Sequence, residues 1–419
     1  MTDDRQYISR RDFLKLCGLS FLGLVLTNCN SKPTPPPTPL SDFLHIENGK
    51  VTGKSGSEIL LRGICLDPFP FWSFKETPNH PYGLERINQF NSALYTHYLT
   101  EADIQEIKKM GVNVVRKQVS FYALETAPYQ YNEGVLQQID HLIEIAYPKG
   151  IYIIPALTDA AQNSAQQDNK RHHNGVSHLW VDNEWRQRVI SAWEYIARRY
   201  ANNPAIAGYD IINEPTAPTH ESLLSFYSDV IAAIRRVGDE HIIILEKQHF
   251  ENTSTILFGG QYEDENIMLS FHHYEDLNVE KEECDPNAVY LTKQELLTQL
   301  DEFLSQDEIA NRPIFAGEFG AVSLPCAGAK ALQWTRDILD VMNEHRIHYT
   351  YFSYKHIWGD RNPKSGIYYP QAPLFSGWQN QPIEETIRFV TSRMDELLTS
   401  RWSSNTELMG ILVEKLGAH

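Results

Sequence analysis

From about residue 41 onward, short runs of β-branched and other apolar residues alternate with longer stretches whose apolar positions recur every three to four residues. That order predicts strands alternating with amphipathic helices and therefore a parallel sheet, because parallel neighbours need a crossover between them. The first apolar run, Ile59 to Leu66, follows a hairpin expected around Asn48-Gly49, a dipeptide suited to a tight turn. Seven more runs come after it: Val112 to Val119, Ile151 to Leu157, Ala207 to Asn213, His241 to Glu246, Ile267 to His272, Pro313 to Glu318 and Tyr349 to Tyr354. The intervening helical patterns include Thr100 to Met110, with Thr100 as its N-cap, then Asp182 to Tyr200, Thr292 to Ala310 and Ala329 to His345. Eight repeats predict a closed (β/α)8 TIM barrel preceded by a β-hairpin. An open doubly wound sheet is the alternative, since the fifth crossover, Asn252 to Gly260, is short and ends in two glycines.

The first forty residues follow a different pattern. Ser9-Arg10-Arg11-Asp12-Phe13-Leu14-Lys15 leads into an apolar run from Leu16 to Leu26, which resembles a twin-arginine export signal. The run falls well short of the ~20 residues a membrane-spanning helix needs, so export rather than permanent insertion is expected. Leu26-Thr27-Asn28-Cys29 looks like a lipoprotein processing box with Cys29 as the lipidation site; Asn28 is larger than such boxes prefer, and ordinary cleavage with release stays open. Ser31 to Pro39 is proline-rich, without an apolar side chain to bury, as a stalk would be. The expected organisation is a signal over 1–29, a linker over 30–40, a catalytic domain over 41–400 and a C-terminal extension over 401–419. Location outside the cytoplasm is expected, periplasmic or extracellular, with membrane contact only through an anchor at Cys29.

An exported chain can form disulfides. Of the five cysteines, Cys17 and Cys29 fall in the signal; Cys284 and Cys326 follow the sixth and seventh strands, on rim loops that would be adjacent, and are the expected pair, with Cys65 free. With 42% hydrophobic residues among 419, the domain can build a sizeable core, and a net charge of -17 disfavours a nucleic acid or an anionic lipid surface as partner. No Gly-x-Gly-x-x-Gly or phosphate loop follows any strand.

Polar residues at the C-terminal ends of barrel strands converge on one face. The fourth strand ends in Asn213-Glu214-Pro215 and the seventh in Gly317-Glu318-Phe319-Gly320, which brings two glutamates to one rim. Glycoside cleavage needs such a pair, one to protonate the departing oxygen and one to attack or to activate water. Together with Leu61-Arg62-Gly63-Ile64, Gly111-Val112-Asn113-Val114-Val115-Arg116, His272-His273-Tyr274 and the helix Trp193 to Tyr200 running into Asn203-Pro204, these motifs resemble glycoside hydrolase family 5 over nearly the whole domain.

The resemblance implies a retaining β-glycosidase that needs no cofactor and no metal, with Glu214 as acid/base and Glu318 as nucleophile. It further implies that Arg116 keeps Glu318 ionised, Asn213 binds the sugar 2-hydroxyl, His272 neighbours Glu214, Tyr274 orients Glu318 and Trp358 forms the floor under the sugar. The expected partner is a β-linked oligo- or polysaccharide, of β-glucan or β-mannan type, bound by a monomer. One position departs from the family: the third strand usually ends in Leu-His, and here Leu157 is followed by Thr158 and Asp159.

Other residues stay with two readings. Asn213-Glu214-Pro215 would also suit a helix start, and Glu246, a rim carboxylate outside the motifs, has no assigned role. His172, His173 and His178 fit no standard zinc spacing, while Phe69, Phe71, Trp72 and Trp180 suit either sugar platforms or ordinary packing. Two rival functions remain: a non-catalytic glycan-binding lipoprotein, which would lack one of the carboxylates, and a metal-dependent barrel hydrolase, which would place His and Asp at several strand ends.

Overall fold

The structure is a computed structural model that describes residues 43–66, 95–158, 172–173, 176–248, 258–274, 289–309, 311–321, 324–355, 366–369, 388 and 391–417. The expected signal, lipidation site and linker lie outside them, as do Phe69, Phe71, Trp72, Cys284 and Trp358. Eight strands close into a barrel: β1 (Arg62–Leu66), β2 (Val114–Ser120), β3 (Tyr152–Thr158), β4 (Gly208–Asp210), β5 (Ile242–Glu246), β6 (Ile267–Tyr274), β7 (Ile314–Gly320) and β8 (His348–Tyr351). Each pairs in parallel with its sequence neighbours, and β8 pairs with β1, so the open sheet is excluded. The doubtful fifth crossover falls mostly in residues outside the described set, yet β5 and β6 pair in parallel from Ile243↔Ile267 to Glu246↔Ser270.

Alternation along the strands builds two cores. Inside the barrel lie Val114, Tyr152, Ile154, Ala207, Ile242, Ile244, Met268 and Phe315; their odd-even partners, such as Val115, Ile153, Ile243 and Leu269, pack outward against the helices. The N-terminal hairpin, His45–Glu47 against Lys50–Thr52, adds Leu44 and Val51 to the inner core. Its turn residues Asn48 and Gly49 both have positive φ, 53° and 73°, the geometry a two-residue hairpin turn requires.

The helices around the barrel are α1 (Glu101–Lys109), α2 (Glu133–Ala146), α3 (Asn183–Tyr200), α4 (His220–Arg236), α5 (Lys293–Leu304), α6 (Ala329–Glu344) and α7 (Thr406–Leu416). Thr100 caps α1 through a reciprocal box with Asp103, as its position predicted. The helix expected to reach Ala310 stops at Leu304, where Ser305 caps it, and a short 3-10 turn, Asp307–Ile309, follows. Residues after 400 are not an appendage: α7 buries Leu408, Ile411, Leu412 and Leu416 in the outer core, and Arg336 and Asp340 on α6 pair with Glu414 and Lys415. Their apolar spacing is that of a packed helix, which composition alone does not reveal.

Candidate active site

Period-two alternation from Val114 turns Arg116 and Gln118 of β2 into the barrel, above the apolar interior. On β6 the same rule turns His272 and Tyr274 inward, while His273 stacks outward on Trp334. Strand β7 needs a correction of phase. Phe315 is in the inner core and Phe319 in the outer one, so strict alternation would turn Glu318 outward. A bulge between Ala316 and Phe319 adds one residue and aims Glu318 into the barrel. Gly317 occupies the bulge, where a Cβ would meet Ser270 Oγ at 2.8 Å and His272 Nε2 at 3.1 Å.

Asn213-Glu214-Pro215 starts no helix; α4 begins at His220 with Thr219 as its cap. Instead Glu214 adopts φ 48°, in the left-handed region and directly before a proline, a conformation costing about 1 to 3 kcal/mol that surrounding contacts must hold. The Glu214 backbone N–H donates to Glu246 Oε2 at 2.7 Å.

The side chains meet around Arg116, which is fully buried. Its guanidinium donates to Asp210 at 2.8 Å, Glu318 Oε1 at 2.6 Å, Asn213 Oδ1 at 2.9 Å and Glu246 Oε1 at 2.9 Å. Gln118 Nε2 donates to Glu318 Oε1 at 2.7 Å, and the Tyr274 hydroxyl donates to Glu318 Oε2 at 2.7 Å. His272 places Nδ1 3.0 Å from Glu214 Oε1 and Nε2 3.1 Å from Glu246 Oε1. Oxygens of Glu214 and Glu318 lie within 4.8 Å of one another.

Burial works against the charge on Arg116, but Asp210, Glu318 and Glu246 outweigh it and hold its pKa well above the usual value. Burial likewise opposes a charged His272; Glu246, Glu318 and the bond to Glu214 overcome that and favour the imidazolium. Glu246 stays below the ordinary carboxyl range in spite of burial, because His272, Arg116 and the Glu214 N–H face it. Asp210 goes the other way. Burial and the nearby charge of Glu246 push it up to about 7 despite Arg116.

Six of the seven site residues expected from sequence, Arg116, Asn213, Glu214, His272, Tyr274 and Glu318, thus form one contiguous cluster; Trp358 lies outside the described residues. Sequence reasoning missed Asp210 and Gln118 and left Glu246 unassigned. The signal was available: Gln118 is two positions beyond Arg116 on the same face, and Glu246 ends β5 in phase with the inner residues Ile242 and Ile244. At the aromatic position directly after β8, Phe352 sits edge-on to Tyr274 with ring centroids 6.5 Å apart.

Thr158, where the family usually has His, is buried, and its hydroxyl bonds the Val119 carbonyl. Trp180 packs edge-on against Phe226 of α4 and joins the outer core. His172 and His173 form a small hairpin with Val176–Ser177, and His178 stacks on Trp185. Cys65 is a buried free thiol beneath the cluster, pushed up to about 12 by burial and therefore inert. Cys326 falls in the short helix Leu324–Ala327, and the expected pair with Cys284 lies outside what the structure describes.

Among the described residues, Glu214, His272 and Glu318 are the one group close enough to share a metal ion. Glu318 already accepts from Arg116, Gln118 and Tyr274, and a buried guanidinium 2.6 Å away repels a cation. The donor set argues for carboxylate chemistry.

A closed parallel barrel with two carboxylates facing each other at its C-terminal rim has the architecture of the barrel glycoside hydrolases. The profile of Cellulase (glycosyl hydrolase family 5) matches residues 76–356, more than half of the chain, and the chain belongs to that family. A β-xylosidase of Phanerodontia chrysosporium is 26% identical over 55% of this chain, and this chain spans only 52% of that protein. Cellodextrinase A of Ruminococcus flavefaciens is 23% identical over 64% of this chain and 79% of its own length. Among solved structures, endo-glycoceramidase II from a Rhodococcus species shares the fold with a TM-score of 0.57 at 19% identity, covering 76% of this chain and 77% of that one.

Proposed function

We propose that the protein is a retaining β-glycosidase that hydrolyses a β-linked glycan of β-glucan or β-mannan type. The observation that carries this reading is the approach of oxygens of Glu214 and Glu318 to within 4.8 Å, with Glu318 held by Arg116 and Glu214 facing His272. Oxygens that close fit a retaining pair, whose carboxyl groups stand ~5 to 5.5 Å apart, better than an inverting pair at ~6.5 to 9.5 Å with a water between. Names of the relatives, a β-xylosidase and a cellodextrinase, support a β-linked substrate.

Four carboxyls, Asp210, Glu214, Glu246 and Glu318, share the cluster with two cations, Arg116 and His272. Two negative charges balance those cations, so two carboxyls hold protons most cheaply. Asp210 is one by its raised pKa. Of the facing pair, Glu318 accepts from Arg116 and Glu214 does not, meeting instead the titratable His272 at 3.0 Å, so the second proton is assigned to Glu214. Glu214 is thereby ready as an acid.

Glu318 Oε1 accepts two bonds, from Arg116 and Gln118, and Oε2 accepts one, from Tyr274. With about two acceptor sites on each oxygen, Oε2 keeps a lone pair for attack. In the first step Oε2 bonds to the anomeric carbon, the glycosidic C–O bond breaks, and Glu214 gives its proton to the departing oxygen. In the second, Glu214 takes a proton from water, the hydroxide oxygen bonds to the anomeric carbon, and the ester to Glu318 breaks. Asn213 is held by Arg116 at its carbonyl, which leaves its NH2 for the sugar 2-hydroxyl.

A non-catalytic glycan binder would have no use for an acid opposite a bonded carboxylate. Replacing each glutamate tests the roles. Glu214→Gln should retain attack on an aryl glycoside with a good leaving group, accumulate the glycosyl ester on Glu318, and lose about 10² to 10⁴-fold on a glycan. Glu318→Gln should lose activity on both. Equal loss in the two variants on both substrates, or product of inverted configuration from the wild type, refutes the assignment.

A further inference from the structure

The Gln118 amide has two ends, and only its NH2 enters the double displacement. Its Nε2 donates to Glu318 Oε1 at 2.7 Å, and since a carboxylate only accepts, the amide must present its NH2 there. The amide oxygen is therefore turned away from Glu318, yet bonded geometry keeps it about 2.3 Å from the nitrogen and so within about 5 Å of the nucleophile. It has no hydrogen-bond partner among the described residues, although Gln118 is only 5% exposed. The oxygen is not among the enclosed polar atoms that lack a partner, so it stays open to water or to a ligand that displaces it.

Neighbouring groups do not fill the gap. Across the strand pair Gln118 faces Ala156, a methyl that leaves room beside it. Thr158, one inward step further along β3, spends its hydroxyl on the Val119 carbonyl. The end of β3 that flanks Gln118 therefore offers no free polar group from Ala156, Leu157 or Thr158.

We infer that Gln118 is a positioning and specificity residue: its NH2 occupies Glu318 Oε1 so that attack comes from Oε2, and its carbonyl accepts a hydroxyl of the sugar held against that oxygen. This inference rests on the proposed glycosidase reading. The sugar whose anomeric carbon meets Oε2 must lie over Glu318, within reach of an acceptor about 5 Å away. Asn213, bonded to the opposite side of the Arg116 fork, takes the 2-hydroxyl. Gln118 accordingly reads a different hydroxyl, one on the β2 side of the ring.

The test is a set of aryl β-glycosides of the sugar the wild type cleaves best, together with its monodeoxy analogues, assayed with wild type, Gln118→Met and Gln118→Glu. Wild type should lose about tenfold in kcat/KM on one deoxy analogue other than the 2-deoxy one, and Gln118→Met should not distinguish that analogue from its parent. Gln118→Glu keeps the side chain's shape and an acceptor, so it should retain the discrimination. Its negative charge beside Glu318 should slow inactivation by a 2-fluoro glycoside, which reports attack alone, by about 10²-fold. Gln118→Met that is slowed equally on every analogue with discrimination intact would reduce Gln118 to packing. A Gln118→Glu variant inactivated as fast as the wild type would remove its role at Oε1. Should the Met variant fail to fold by near-ultraviolet circular dichroism, the isosteric Glu variant decides alone, and it overturns the inference if it shows no discrimination or unslowed attack. A wild type inactive on every β-glycoside refutes the glycosidase reading itself and is recognised without any variant.

Discussion

Two clusters of buried charge in this barrel are built on opposite principles. Around Arg116, four carboxyls share two cations. Between α1 and the chain after β8, one carboxylate meets one ammonium: Lys355 Nζ lies 3.2 Å from Asp103 Oδ1, with the Tyr98 and Leu397 carbonyls as further acceptors and the Tyr98 and Trp402 rings beside it. Asp103 also accepts from the hydroxyls of Thr100, Tyr354 and Thr399. The balanced pair satisfies its own members and ties α1, the end of the barrel and the C-terminal segment together. The unbalanced cluster leaves protons to be moved. Surplus carboxyls in a buried site mark chemistry, and stoichiometric pairing marks structure.

The largest effect that would break this contrast is expected at Arg116. An ammonium cannot reproduce a fork that bonds four groups, so Arg116→Lys should lower kcat/KM on an activated aryl glycoside by about 10² to 10³-fold. Activity within tenfold of the wild type would mean that the fork does not organise the site. Lys355→Met should act on stability instead. It leaves Asp103 buried without its cation, at a cost of about 3 to 5 kcal/mol in urea unfolding, while kcat at low temperature stays within about twofold. A loss of activity without a loss of stability would reverse the roles of the two clusters.

A third buried group sharpens the comparison because it avoids charge altogether. His348, at the start of β8, accepts the Leu61 N–H through Nδ1 at 2.9 Å and is pushed down to about 3 by burial. The unfolded chain protonates this imidazole near pH 6.5, so its stabilising effect is complete above that pH and is lost as the pH falls towards 3. The loss between pH 6.5 and 4 should reach up to about 3 kcal/mol. His348→Asn keeps an acceptor for Leu61 and does not titrate, so its melting temperature should fall less steeply over that range. Parallel slopes for variant and wild type would show that His348 is not the group responsible.

Several features were legible in the chain because they are local. Alternation and caps placed all eight strands, the Asn48-Gly49 hairpin and the start of α1. Motifs on and just after the strands carried six residues of the cluster. What escaped depended on geometry between elements. Gln118 and Asp210 sit on inward faces that the strand pattern allows, but only the barrel shows that they meet Arg116 and Glu318. Helix α7 was read as an extension because its apolar face acquires meaning only when α6 is there to cover it.

By itself, the sequence determined the order of elements and the residue types at the rim, since period two, period 3.6 and turn chemistry act over a few neighbouring residues. Tertiary structure decided which way those residues point and which of them hold protons. The bulge at Gly317 turns Glu318 inward, against the alternation its strand would otherwise impose. Arg116 draws carboxyls from β4, β5 and β7, residues 94 to 202 positions away in the chain, into one place poor in water. Proton affinity there follows from burial and from the sum of nearby charges, and neither exists until the barrel closes.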